Sequence, residues 1–378
     1  MPRTQDTLIR LGRPDEYRTI LETTGEAFGS GAEFFATEFA HTYPGPASAR
    51  WCITAWRGGK LVGVINQAPM RLRVGGVKLS TAGIGGVCAL PECRGQGIMS
   101  RMLLAGREHL RQTGTVLGVL SGKRVRYRRH GFEQCGVRVT ADVTEEMLAA
   151  DRPLAMRKVK PSDAASVARL SRKTSSSVWR TRRWQELLIA RPGFQAFCNR
   201  GKRLRAYFVF RNRAPGHIVE TAGEAGLIRG MLKRYMSDLD GPLTASLLPG
   251  GAFDRWAAEQ GKTLAGKSTQ LCIYDFGRLL TALAGPLAER FRRFGIDRPV
   301  TLCHTDEGCG FELRPGASGL VVSPASGSEK ADLALDAPGW ARTFFPPPEA
   351  RVLATPTADP RLTAALAFDL NYPPWDGV

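Results

Sequence analysis

The segment CRGQGIMSRMLL, residues 93–104, constrains the fold more than any other part of the chain. Gly95 and Gly97 stand in a short turn, and an apolar pattern with helical spacing begins directly behind them. One interpretation is a simple strand-to-helix turn, because glycine adopts left-handed backbone angles without steric cost. The other is an anion site, because bare N–H groups and the dipole at a helix N-terminus favour phosphate or pyrophosphate. The flanking sequence has to distinguish the two.

Strand and helix patterns alternate on both sides of this turn. Residues 51–92 contain strand-like runs, in which Gly58-Gly59 and Gly75-Gly76 predict hairpin turns. The helix that starts at Ile98 is predicted to stop at Gly114, and the short buried strand TVLGVLSG follows it. Next comes YRRHGFEQCGVRVTADV, which predicts a helical turn and another strand. This order is typical of an α/β layer.

The remaining chain predicts two further blocks. The passage DRPLAMRKVKPSD, residues 151–163, marks a boundary through its prolines and lysines. Residues behind it repeat the strand–helix–strand order of the first block, but without an R-x-x-G turn. The last block contains the strand patterns PVTLCHTD, GFELRPG and GLVVSP and then helices. We therefore predict an α/β (α+β) protein with domains at 1–150, 151–285 and 286–378.

The chain of 378 residues has a formal net charge of +18. Such a charge predicts attraction to anions, among them CoA phosphates, acidic substrates, nucleic acid and membrane surfaces. No apolar run approaches the ~20 residues that cross a bilayer, and the first residues lack the apolar core of a signal peptide. We therefore expect no transmembrane segment and a cytoplasmic location. Eight cysteines without a C-x-x-C pair predict neither a disulfide framework nor a metal site, and His304 is interpreted as a strand residue.

The strand GGVCALPE, the turn CRGQGI, the amphipathic helix and the motif YRRHGFE together resemble the GNAT acyl-CoA-dependent N-acetyltransferases. Arg94, Gly97 and Ile98 match the family's pattern Q/R-x-x-G-x-G/A, whereas Met99 stands where glycine or alanine is usual. The longer pattern P-E-x-R-G-x-G-I-M-S-x-x-L-L is similar to the tandem acetyltransferases related to the enhanced-intracellular-survival (Eis) proteins. This resemblance implies two tandem GNAT-like domains, the second degenerate, and a small sterol-carrier-like C-terminal domain.

The resemblance also implies acetyl-CoA as the acyl donor and no metal. Backbone amides of the glycine turn and the helix start would cradle the CoA pyrophosphate, and the end of the preceding strand would bind the pantetheine arm. The residues implied are Val87, Cys88, Ala89, Arg94, Gly95, Gln96, Gly97, Ile98, Met99 and Ser100.

Two catalytic groups follow from the same resemblance. Tyr127 aligns with the tyrosine that the family uses as general acid, and basic residues around it are expected to stabilise its phenolate. The alternative is a packing tyrosine. The C-terminal carboxylate of Val378 corresponds to the family's base, with a frayed terminus as the alternative and Asp376 as a substitute carboxylate. Trp375 is expected to anchor this tail on an apolar surface.

The activity implied is acetyl transfer to a primary amine of a small molecule or peptide, by direct attack on the thioester. A homo-oligomer, trimer-based or hexameric, is implied as well. Glu26, Glu33 and Glu38 are candidate carboxylates for a cationic acceptor. Two alternatives remain open: an acyl or aminoacyl transferase acting on an anionic or RNA-bound substrate, and a non-enzymatic acyl-CoA- or lipid-binding protein.

Overall fold

The computed structural model describes residues 7–174, 177–239, 241–247, 251–260, 263–317, 319–325, 331–351 and 359–377. The strands are β1 (Leu8–Leu11), β2 (Cys52–Arg57), β3 (Lys60–Val74), β4 (Val77–Ala89), β5 (Leu117–Leu120), β6 (Glu133–Val143), β7 (Met156–Lys158), β8 (Phe194–Asn199), β9 (Ala206–Arg211), β10 (Ala214–Gly223), β11 (Leu243–Leu247), β12 (Thr263–Ile273), β13 (Val300–His304), β14 (Cys309–Gly316), β15 (Gly319–Ala325) and β16 (Leu333–Leu335). The helices are α1 (Tyr17–Phe28), α2 (Ala32–Glu38), α3 (Ile98–Gln112), α4 (Arg124–Tyr127), α5 (Ala164–Ser171), α6 (Arg182–Ile189), α7 (Ala225–Met236), α8 (Ala252–Glu259), α9 (Phe276–Arg293), α10 (Ala337–Phe344) and α11 (Pro360–Leu366).

The chain forms two compact units that draw on separate segments. The first unit comprises Met1–Arg10, Ile53–Val137 and Lys267–Leu370. The second unit comprises Leu11–Cys52, Arg138–Gly266 and Asn371–Val378. The helices α1 and α2, which lie between β1 and β2 in the chain, therefore belong to the second unit.

In the first unit the strand order is β1-β2-β3-β4-β5-β12, and a separate sheet has the order β15-β14-β13-β16. The long hairpin of β3 and β4 pairs Val74 with Val77 at its turn. Gly75 and Gly76 have φ angles of +53° and +83°, which only glycine adopts readily. Helix α3 buries its apolar stripe, including Met102 and Leu110, on this sheet.

In the second unit the strand order is β6-β11-β10-β9-β8-β7. Strands β10 and β11 are parallel to each other. Their outer neighbours are antiparallel: β9 pairs with β10, and β6 pairs with β11. One core cluster contains Phe208, Phe210, Ile228, Met231 and Phe253 on the side of α7 and α8. A second cluster gathers side chains from α5, α6, β8, β9 and β10, and it includes Trp375.

The predicted α/β class is confirmed, as are the two hairpin turns, the limits of α3 and the strand position of His304. The sequence analysis missed β1, β7 and β8, and β7 lies within the passage that we predicted to be a boundary. Helix α9 runs through position 285, with Pro286 inside it. The three domain limits and the sterol-carrier-like assignment of the last block stay predictions.

Candidate active site

Strand β4 changes its neighbours along its length. On one side it pairs with β3 as far as Ala89, which lies opposite Gly63. On the other side, within the described residues, it pairs with the parallel strand β5 only from Thr81 to Gly83. β5 ends at Leu120, whereas β4 continues to Ala89, so the described pairing of β4 with β5 does not reach Val87, Cys88 and Ala89.

The turn that follows β4 contains two glycines because its backbone angles require them. Gly95 and Gly97 have φ angles of +74° and +73°, and a Cβ built on either would meet nothing within 4 Å. Gly97 is the N-cap of α3, and no side chain caps the helix there. The exposed turn therefore ends at helix N–H groups without a side-chain acceptor, which is the arrangement that binds anions.

Hydrogen bonds fix the turn on both sides. Arg94 donates from Nε to the carbonyl oxygen of Ala89 (3.3 Å), which ties the turn to the end of β4. The side chain of Gln96 accepts from Arg57 (2.6 Å) and donates to the carbonyl oxygen of Glu92 (3.2 Å). Ile98 is 2% exposed, so its side chain is packed inside the fold and does not face a ligand. These hydrogen bonds tie the turn to the ends of β2 and β4.

A cation lies beside the first turn of α3. Arg129 donates from a terminal guanidinium nitrogen to Ser100 Oγ (3.3 Å), and His130 Nε2 lies 3.4 Å from the same oxygen. Burial and, to a smaller extent, Arg129 lower the pKa of His130, so this imidazole is neutral at pH 7. Arg129 is therefore the cationic residue of the YRRHGF motif that contacts the first turn of α3.

Tyr127 lies in α4 with 6% of its surface exposed. Its ring packs edge-on against Phe132, with 6.2 Å between the centroids. A Cβ at Gly122 would lie 2.7 Å from Tyr127 Cε2, so this glycine leaves the room that the ring fills. Burial raises the pKa of Tyr127 and Arg126 lowers it less, so the net shift is upward. The expectation that surrounding cations make the phenol a readier acid was wrong, because desolvation outweighs them.

Two of those cations are engaged elsewhere. Arg124 donates to both carboxylate oxygens of Glu133 (2.5 and 2.6 Å), and Arg128 donates to one of them (3.1 Å). Burial alone would raise the pKa of Glu133, but the hydrogen bonds from Arg124, the backbone and Arg128 outweigh it and lower that pKa. These arginines fasten α4 to the start of β6 and thereby position Tyr127.

The last residues of the chain belong to the second unit and are firmly packed. Trp375 is fully buried in the cluster around Tyr207, which confirms its predicted anchoring role. Arg191 donates to the carbonyl oxygen of Trp375 (2.6 Å), and His41 Nε2 lies 3.1 Å from that of Gly377. Burial lowers the pKa of His41 to about 3, so the imidazole is neutral and donates this bond. Val378 lies outside the described residues.

The tail is held by a buried ionic network that the sequence analysis missed. Arg180, 1% exposed, donates to Glu220 (2.7 and 2.5 Å) and to Asp376 (2.9 and 2.5 Å). Tyr207 and Trp184 complete the shell, with bonds to Glu220 (2.5 Å) and Asp376 (3.1 Å). The carboxylate of Asp376 is therefore an ion-pair partner inside the fold, which corrects the hypothesis that it substitutes as a base.

Few other groups in the described parts of the chain offer chemistry. All eight cysteines lie there and form no disulfide, and no group of His, Cys, Asp or Glu is arranged to hold a metal ion. Among the described helices, none combines the length and the apolar character that a membrane span requires. Glu26 and Glu33 are exposed, whereas Glu38 is half-buried and lies against Gly193.

Comparison with known proteins agrees with this arrangement. Residues 8–135 match the family described as Acetyltransferase (GNAT) domain. The fold is similar to GCN5-related N-acetyltransferases from Kribbella flavida (TM-score 0.72, 17% identity, 98% of each chain) and Anabaena variabilis ATCC 29413 (TM-score 0.72, 16% identity, 96% of this chain and 97% of that one). It is also similar to Eis1 from Mycobacterium abscessus (TM-score 0.66, 15% identity, 98% of each chain). No curated protein matches the chain.

The end of β4, the glycine turn and the uncapped helix thus lie inside the segment that matches the GNAT domain. The protein is an acyltransferase that carries this domain in its N-terminal third, within a mixed α/β fold shared with GCN5-related N-acetyltransferases over nearly the whole chain.

Proposed function

We propose that the protein transfers the acetyl group of acetyl-CoA to a primary amine by direct attack of the amine on the thioester. The observation that carries this proposal is the uncapped start of α3, behind two left-handed glycines that follow β4. The amides from Gly95 to Ser100 would bind the pyrophosphate, and Arg129 would add a positive charge. Val87, Cys88 and Ala89 would offer backbone groups to the pantetheine arm.

In the proposed reaction the amine nitrogen bonds to the thioester carbonyl carbon and the carbon–sulfur bond breaks. Holding both reactants in place can supply about 7–11 kcal/mol of the barrier reduction. Tyr127 gives its phenolic proton to the departing thiolate, and a base takes the proton that the nitrogen loses. The raised pKa of Tyr127 suits the resting enzyme, because the phenol keeps its proton at neutral pH until the thiolate forms.

We propose the carboxylate of Val378 as that base. The support is the packing of the residues before it: Trp375, Asp376 and Gly377 are hydrogen-bonded to other residues of the second unit. Glu26 and Glu33, both exposed, would attract a cationic small molecule or peptide. A homo-oligomer and a cytoplasmic location remain part of the proposal.

Lengthening the tail is expected to lower kcat by about 10²-fold if the terminal carboxylate is the base. Two glycines added behind Val378 keep every native residue and move the carboxylate by about 7 Å at most. The matched control adds two glycines before Met1. Steady-state rates across pH measure the effect, and a native rate in the lengthened protein would assign the base elsewhere.

Replacing Gly97 with glutamate is expected to weaken acetyl-CoA binding by tenfold or more. The change places a side chain and a negative charge at the helix start, and each lost charge-assisted hydrogen bond costs about 1.5–3 kcal/mol. Gly76→Glu is the matched control, since Gly76 is also a left-handed glycine (φ +83°) with open space around its Cβ position. Calorimetry with acetyl-CoA measures both variants.

If both variants fold and bind acetyl-CoA with equal affinity, the donor site does not lie at the start of α3. A transfer assay with a panel of amines and with aminoacylated RNA then identifies the acceptor class. The net charge of +18 keeps an anionic or RNA-bound acceptor as the second candidate.

A further inference from the structure

The second unit repeats the strand and helix order of the donor site. There β10 is followed by α7, β11 and α8, as β4 is followed by α3, β5 and α4. β10 and β11 are parallel and pair His217 with Thr244 and Ile218 with Ala245. Ligands of open α/β sheets bind outside the carboxyl ends of parallel strands. The carboxyl ends of β10 and β11 are therefore where a second site would lie.

A cavity of about 810 Å³ opens at this place. It is lined by the residues that end β10 and begin α8, together with the end of α5 and the loop between β8 and β9. Those that bear on ligand binding are Arg169, Lys173, Arg203, Arg205, Gly223 and Glu224. The volume falls within the range of about 300–1,000 Å³ that small-molecule sites occupy.

The lining carries four cationic side chains and one carboxylate. Arg205 pairs with Glu224, and its Nε lies 2.6 Å from Glu224 Oε1. Arg169 donates to the carbonyl oxygen of Leu204 (3.5 Å), while Lys173 and Arg203 have no ion pair with the described residues. All four cationic side chains belong to exposed residues and can turn toward a ligand. The cavity thus has an excess of three positive charges to offer an anion.

The cavity differs from the α3 site in how it would hold a ligand. α7 begins behind Glu224, whose carboxylate already complements the helix dipole, whereas α3 begins behind Gly97. A Cβ at Gly223 would collide with the backbone of Arg205 and Ala206, so the end of β10 lies directly against the start of β9. Recognition would therefore rest on side chains, and guanidinium groups bind phosphate and carboxylate oxygens in pairs.

We propose that this cavity binds a small organic polyanion that carries phosphate or carboxylate groups, as a site separate from the acetyl-CoA site. The anion is held by Lys173 and Arg203 and supported by Arg169 and Arg205. Such a site gives part of the charge of +18 a specific role.

The test uses the full chain carrying Gly97→Glu, so that the α3 turn no longer competes for the probe. Inorganic pyrophosphate and citrate, titrated separately in a calorimeter, represent the phosphate and carboxylate classes. We expect at least one of them to bind. Adding Lys173→Ala and Arg203→Ala should weaken that binding at least about tenfold, since charge-assisted hydrogen bonds are lost. Adding Lys202→Ala and Arg213→Ala instead removes the same charge outside the cavity. This control pair should change the affinity for the probe by less than about twofold.

Absence of binding by both probes in the Gly97→Glu protein overturns the proposal, as does equal weakening by the two charge-matched pairs. Neither result tests the proposal that acetyl-CoA binds at the start of α3. As a check on folding, the Lys173→Ala/Arg203→Ala pair in the otherwise native chain should bind acetyl-CoA as the native protein does. If acetyl-CoA binding survives Gly97→Glu, the donor-site proposal fails while the cavity is still judged by its own pair of variants.

Discussion

Replacing Arg180 with methionine is expected to lower the free energy of unfolding by about 3–5 kcal/mol, because two carboxylates then stay buried without their cation. Glu220 and Asp376 are both fully buried and share Arg180 as their guanidinium partner. Burial alone would lower the pKa of Arg180, but the two carboxylates outweigh it and raise that pKa well above its ordinary value. The arginine is therefore charged at every pH at which the protein folds.

Two further variants show whether the loss comes from unpaired charge. Arg182→Met removes an exposed arginine that pairs with Glu186 within α6, and it should cost no more than about 0.5 kcal/mol. Combining Arg180→Met with Glu220→Gln and Asp376→Asn should recover much of the stability, since neutral groups cost less to bury. Urea unfolding, followed by circular dichroism and by tryptophan fluorescence, measures the changes in the free energy of unfolding. The two probes must give coincident unfolding curves, because only a two-state transition has a single free energy of unfolding. A loss below 1 kcal/mol for Arg180→Met would contradict the network's role.

The donor site was predictable because its signals are local in sequence. Gly95 and Gly97 are needed for their backbone angles, and the apolar spacing of α3 starts one residue later. The hairpin turn at Gly75-Gly76 follows the same rule. Such features depend on a few consecutive residues, so the pattern alone determines them.

The surroundings of the catalytic candidates were not predictable, because they depend on contacts between distant residues. Arg180 meets Glu220 and Asp376 across 40 and 196 positions, and nothing beside Arg180 in the sequence indicates a buried ion pair. The density of arginines around Tyr127 predicted a lowered pKa, but Glu133 engages two of them and burial dominates. The two compact units were not predictable either, because each is assembled from three segments that are separate in the sequence.

Replacing Tyr127 with phenylalanine is expected to lower kcat by about 10²- to 10⁴-fold, the usual contribution of a placed general acid. The ring contact with Phe132 and the space left by Gly122 accept phenylalanine unchanged, so the stability and the KM for acetyl-CoA should stay near their native values. Because burial raises the pKa of Tyr127, the phenol carries its proton throughout the neutral range. The acid function should therefore be lost only as the pH rises through that raised value, and a decline at high pH in the native enzyme should be missing from the variant.

Tyr274→Phe is the matched control for this experiment. Tyr274 is buried in the same unit and also packs edge-on against Phe132, with 6.2 Å between the centroids. Removing its hydroxyl tests whether any buried phenol near Phe132 affects the rate through packing. Steady-state kinetics with saturating acceptor, measured from pH 6 to the alkaline limit of stability, compare the two variants with the native protein. A Tyr127→Phe enzyme that keeps kcat within about twofold of the native value, or a Tyr274→Phe enzyme that loses as much, would make Tyr127 a packing residue and leave the thiolate to take its proton from water.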